Sequence, residues 1–242
     1  MKKIITTTIA AGLVASGAFA EVAVTMDLVS AYVYRGATFL DKPSFQPGVE
    51  AAGFGLAEEY GSIAFGAWGS YDLDGDNSST FQETDWYVSY GLPSMVDGLD
   101  LSVGYCEYSY GSNSADKELS FGAGYDLSGV GLGVTLYQGI GSSLIGIGTQ
   151  TYLEFTAGYG YDFTEELSGS IDASLGWLDE GNAGDESGFN DYSVSASLGY
   201  ALSELWSVSG FVSYIGQIDD AVLTDDEYDV SFVGGIGVSC EM

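Results

Sequence analysis

The chain has 242 residues, 35 of them acidic against 5 Lys and Arg, with no histidine and a formal charge of −30. That balance excludes nucleic acid as a partner, because a polyphosphate needs a basic surface. The lack of histidine excludes Ser-His hydrolysis, Asp-His proteolysis and ordinary zinc sites.

Lys2 and Lys3, an apolar stretch through Val14 and Ala18-Phe19-Ala20 before Glu21 read as a secretory signal over residues 1–20. The remaining chain, 21–242, is then expected to be one β-barrel domain, since no Pro/Ser-rich linker or composition break divides it. Within it Arg35, Lys42 and Lys117 are the only cations, three against 35 acids, a formal charge of −32. No later run of about 18 apolar residues exists, so a helical membrane protein is excluded. Gly at 36 residues and Tyr at 18, against three Pro, suit many strands with small residues on one face and aromatic ends.

From residue 22 onward the chain is punctuated by Phe54, Tyr90, Tyr125, Tyr161 and Tyr200, spaced by 36, 35, 36 and 39 residues. Each closes an alternating run just before a short turn, and another run follows, which is a β-hairpin repeat. Period-two alternation predicts twelve strands near 22–33, 47–56, 60–71, 81–91, 99–109, 117–127, 130–138, 150–161, 166–178, 190–201, 205–215 and 228–239. The clearest is 167–177, where Leu167, Ile171, Ala173, Leu175 and Trp177 alternate with Ser168, Ser170, Asp172, Ser174 and Gly176. In 47–56 and 81–91, Phe54 and Tyr87 interrupt the small-residue face.

Long polar connections alternate with short turns, the pattern of an up-and-down transmembrane β-barrel with long outer loops and short periplasmic turns. A soluble sandwich would show the same period. Aromatic placement separates the two: Tyr90, Tyr125, Tyr161, Tyr200 and Trp206 are expected at one rim, and Tyr71, Tyr108, Tyr110, Tyr137, Trp177 and Tyr214 at the other. Cys106 and Cys240 fall on opposite sides of such a barrel and towards opposite ends, which argues against a disulfide.

The opening residues Val24-Thr25-Met26-Asp27-Leu28-Val29-Ser30-Ala31-Tyr32-Val33-Tyr34-Arg35-Gly36, followed by Lys42-Pro43-Ser44-Phe45-Gln46-Pro47-Gly48, resemble the start of the TorF-type (Gcw_chp) porin family. The resemblance covers about 30 residues in specific terms and implies an outer-membrane β-barrel with a channel role. The chain departs from the usual barrel pattern at Val238-Ser239-Cys240-Glu241-Met242, where the assembly machinery commonly reads a terminal aromatic.

Strand parity points Asp27, Glu50, Asp85, Asp100, Glu154, Asp172, Asp191 and Asp229 into the lumen, where carboxylates lower the energy of a passing cation. The same groups would also solvate a lumen otherwise filled with Ser and Gly. Arg35, at the outer end of the first strand, is expected to act as a mouth clamp by pairing with carboxylates there, with a constriction as the alternative. Asp72, Asp74, Asp76 and Glu83 stand at positions 1, 3, 5 and 12 of a calcium-loop frame, though Asn77 replaces the position-six Gly and so acidic a loop makes such spacings by accident. Asp219, Asp220, Asp225, Asp226 and Glu227 would gather divalent ions diffusely, bridging to lipopolysaccharide.

Together these features predict a non-enzymatic outer-membrane pore for small hydrophilic solutes or cations, without a cofactor unless that loop holds Ca2+. Its expected partners are membrane lipid, lipopolysaccharide and the barrel-assembly machinery. Two alternatives remain open: a closed structural or adhesive barrel, and a secreted soluble β-protein.

Overall fold

The computed structural model describes residues 21–54, 60–74, 82–93, 96–111, 115–141, 149–179 and 186–242. The expected signal over 1–20 lies outside them.

The strands are β1 (Glu21–Val29), β2 (Tyr32–Tyr34), β3 (Ala37–Leu40), β4 (Ser44–Ala52), β5 (Ser62–Asp72), β6 (Gln82–Gly91), β7 (Leu99–Ser109), β8 (Ala115–Leu127), β9 (Val130–Gly139), β10 (Thr151–Asp162), β11 (Leu167–Asp179), β12 (Gly188–Ala201), β13 (Trp206–Gln217) and β14 (Phe232–Glu241). All except β2 and β3 form one closed antiparallel barrel of twelve strands, sealed where β1 pairs with both β4 and β14. Closure leaves no unpaired strand edge, which a sheet in hydrocarbon requires.

Alternate residues divide the wall into two chemistries. The outer face carries Met26, Leu28, Phe65, Val88, Phe121, Phe155, Val194, Val212, Phe232 and Ile236, all exposed, with Ile171 and Ile236 at 62% and 65%. An apolar belt on every side of the barrel suits lipid and would aggregate in water. The inner face is small and polar over β11 to β14, where cross-strand serine pairs satisfy each other: Ser170 with Ser197 at 2.8 Å, Ser174 with Ser193 at 2.7 Å and Ser207 with Ser239 at 2.6 Å.

The turn between β8 and β9 is the two-residue hairpin expected at 128–129. Ser128 and Gly129 both take positive φ (56° and 93°), the geometry that matches strand twist. Tyr87, out of place in the alternation, points inward and donates to Glu50 at 2.8 Å. Gly66 opposite it has no side chain to meet the ring. Phe54 lies past the end of β4 and stacks on Phe65 with centroids 4.6 Å apart.

Three expected boundaries move. Strand β4 begins at Ser44, before Pro47; the β4–β5 ladder skips Gln46 and Pro47 and resumes in register, so the missing proline donor falls in the gap. The first strand breaks at Ser30 and its continuation folds separately as β2 and β3. The last begins at Phe232, because residues 228–231 pack over the barrel mouth. Cys106 on β7 and Cys240 on β14 are free thiols.

Candidate functional site

The outer end of the barrel is built around the β2–β3 hairpin. Its turn, Arg35-Gly36, has φ of 52° and 81°, again the two-residue hairpin geometry, and as at Ser128 a non-glycine residue bears the left-handed conformation at its first position. A Cβ on Gly36 would lie 2.7 Å from both Asp191 Cβ and Leu223 Cδ2, so this position also leaves no space for a side chain. At the base, Val33 packs on the buried cluster of Val29, Ala31, Ile215 and Val233. Tyr32 packs against Phe39 and Trp68, with centroids 5.5 Å away in each case.

The hairpin leaves the wall at β1, between β4 and β14, and its tip reaches residues of β8, β9, β10 and β12. It therefore crosses the lumen from one wall to the other. The Arg35 guanidinium donates twice to Glu118, Nη1 to Oε2 at 2.8 Å and Nη2 to Oε1 at 2.9 Å. It also lies against the rings of Tyr34, Tyr137 and Tyr152, 4.7, 4.5 and 4.4 Å from their centroids. Asn190 Nδ2 donates to the Arg35 carbonyl at 2.7 Å and to Asp191 at 2.9 Å, while the Tyr152 hydroxyl donates to Asp191 at 2.9 Å. Burial works against the guanidinium charge, but Tyr34 and Glu118 outweigh it and hold Arg35 protonated beyond its ordinary range.

The connection after β13 lies on the hairpin. Thr38 N donates to the Glu227 carbonyl at 2.7 Å, and Asp229 N and Val230 N donate to Thr38 Oγ1 at 3.2 and 3.0 Å. Val222 joins Tyr152 and Leu178 in a second buried cluster. One side of the hairpin thus meets apolar residues. On the strands that run from β6 to β8 the inward carboxylates Glu83, Asp85, Asp116 and Glu118 are all buried, and among the described residues Glu83 Oε2 and Asp85 Oδ1 accept no hydrogen bond.

The strand register gives the predicted lumen residues their places. Asp27 lies opposite Gln46 and Gly237. Asp100 lies opposite Gly124, and Asp172 opposite Gly158 with a 2.7 Å hydrogen bond from Ser170. Glu154 accepts from Tyr137 at 3.4 Å, and Glu50, Asp85 and Asp191 share the inward parity of their strands. Asp229 does not join them: it precedes β14, is exposed, and belongs to the connection folded over the mouth.

The calcium frame does not assemble among the described residues. Asp76 lies outside them. Asp72 accepts the Asp74 amide, Asp74 pairs with Lys42 at 3.1 Å, and Glu83 is buried inside the barrel on β6. Among the described residues no three metal-ligating side chains cluster.

Two of the aromatic positions expected at the outer rim, Tyr108 and Tyr137, instead point inward. Tyr108 lies within hydrogen-bonding distance of Tyr34 and donates to Glu118, while Tyr137 flanks Arg35. Sequence reasoning also missed Asp116, Glu118 and the lumen role of Glu83. The alternation of Asp116 and Glu118 with Lys117 and Leu119, continued by Ser120, Gly122 and Gly124, carried the signal.

No protein-family model matches the chain, nor does any curated protein sequence. The likeness to the TorF-type porins therefore rests on the opening residues alone. Solved structures do match in fold. The COG4313 outer membrane channel from Pseudomonas putida F1 aligns with a TM-score of 0.59 at 9% identity, over 92% of this chain and 95% of that one. The KdgM porin in complex with disordered oligogalacturonate aligns with a TM-score of 0.55 at 10% identity, over 91% and 98%. The NanC porin gives 0.54 at 9%, over 89% and 98%. These likenesses establish the closed outer-membrane-type barrel.

Proposed function

We propose that the protein is an outer-membrane pore for small hydrophilic solutes, biased towards cations, whose outer entrance is narrowed by the β2–β3 hairpin. The observation that carries this reading is the division of charge across the wall. Carboxylates with inward parity include Asp27, Glu50, Glu83, Asp85, Asp100, Asp116, Glu118, Asp126, Glu154, Asp172 and Asp191, whereas among the described residues Arg35 is the one inward cation. Lys117 faces outward opposite Glu107, and Lys42 is spent on Asp74 outside the barrel. A wet space lined this way attracts cations and repels anions. The apolar belt fits insertion in the outer membrane, where lipid and lipopolysaccharide would surround it. The pore reading involves no chemical step. A polyanion such as the oligogalacturonate bound by the KdgM porin would be rejected.

In this reading Arg35 is a clamp that fixes the hairpin across the lumen. A closed structural barrel is the second reading, favoured by the buried apolar packing of Val33, Tyr228 and Val230 at the mouth. Reversal potential in a planar bilayer under a potassium chloride gradient decides between them. A steady conductance with a cation-selective potential supports the pore; silence from correctly inserted barrels supports the closed form.

A further inference from the structure

We propose that the wall around Arg35 is a binding site for the guanidinium or amidinium group of a small cationic solute, and that Arg35 is its built-in occupant. Glu118, Tyr137 and Tyr152 stand on β8, β9 and β10, so three sides of the site belong to the barrel wall and persist when the hairpin moves. The pair of 2.8 and 2.9 Å bonds to Glu118 selects a planar group with two parallel N–H donors. The tyrosine faces select a weakly hydrated cation over a strongly hydrated one. An alkali ion or a simple ammonium satisfies the charge but neither the fork nor the stacking.

One further observation bears on what would take the place of the Arg35 side chain. Removing the side chain would leave Glu118, only 3% exposed, without its cation, in a site flanked by tyrosines whose hydroxyls donate to the inward carboxylates Glu154 and Asp191. A buried charge in that setting recruits another cation of matching shape. A solute that takes the site displaces the hairpin tip and widens the entrance. The transport consequence rests on the pore reading; the binding does not.

The test uses the mature protein in detergent, folded as shown by heat-modifiable migration on cold gels, as wild type, R35A and R35A/E118Q. Guanidinium chloride is titrated by calorimetry, with urea as the neutral isostere and potassium chloride as the ionic control. R35A is expected to bind guanidinium at least about tenfold more tightly than either R35A/E118Q or wild type, and not to bind urea. Equal affinity in R35A and R35A/E118Q overturns the proposal. R35Q, which removes the charge and keeps much of the side-chain volume, replaces R35A in both proteins if R35A does not fold. In bilayers, a potassium current through R35A that guanidinium does not reduce leaves the pore standing and removes the site. Binding in the calorimeter without any potassium current leaves the site standing and removes the pore.

Discussion

The Arg35 guanidinium and the Glu118 carboxylate, separated by 83 positions in the chain, meet through two hydrogen bonds of 2.8 and 2.9 Å on the far side of the lumen from β1. Breaking the pair from one side strands a buried charge. E118Q and R35A are each expected to destabilise the barrel by about 3–5 kcal/mol, and R35A/E118Q by less than the sum, because the double variant leaves neither charge alone. Urea unfolding in detergent micelles measures this. Additive losses would mean that the two side chains do not act as a pair.

Glu154 and Asp172 test the lumen charge without touching the Arg35–Glu118 contact. E154Q/D172N is expected to lower the potassium-to-chloride permeability ratio roughly two- to threefold, equivalent to about 0.5 kcal/mol. Lys117→Gln, on the outer face, should leave the reversal potential where it was. A shift with K117Q as large as that with the lumen pair would place the selectivity on the outer surface.

Gly36→Ala probes the hairpin tip. The new Cβ would meet Asp191 and Leu223 at 2.7 Å on a backbone with φ of 81°, so the tip must move. The left-handed conformation alone costs about 1–2 kcal/mol. Single-channel recordings should show a larger or noisier conductance than wild type. An unchanged trace would mean that the tip does not limit the current.

Outer and inner faces should respond oppositely to charge and polarity. Val194→Arg places a charge on the apolar belt at mid-strand and is expected to cost about 2–4 kcal/mol in folding into lipid vesicles. Ser195→Asn, one residue along and facing the lumen beside Ser213, should cost under about 1 kcal/mol. Equal costs at both positions would mean that the belt does not face hydrocarbon.

How far the sequence could be read depended on the range of the interaction. Strands such as β11 and β12 were legible because their alternation is local and unbroken. The first connection was not. Tyr32-Val33-Tyr34 continues the alternation of β1, so it reads as more strand, yet the chain turns off the wall at Ser30 and pairs with β3 instead. Tyr108 and Tyr137 read as rim aromatics because amphipathic rings favour interfaces. The partners that pull them inward, Glu118, Tyr34 and Arg35, come from other strands and from the hairpin. Glu83 read as a calcium ligand by spacing, whereas its parity with Asp85 turns it into the lumen.

The twelve-strand alternation, the long and short connections, the surplus of acid and the inward parity of most of the predicted carboxylates are all written in the order of the residues. A period of two and a turn of two residues are fixed by neighbouring backbone geometry and need no distant contact. That the first loop folds back through the barrel, that Arg35 meets Glu118 between Tyr137 and Tyr152, and that Asp229 lies outside the lumen are visible in the closed fold alone. Those arrangements depend on closing the sheet, because closure is what brings the wall of β8 to β10 opposite the end of β1. A lone guanidinium in an acidic chain finds its counter-charge wherever the closed fold presents one with matching geometry, and spacing along the sequence does not encode that meeting.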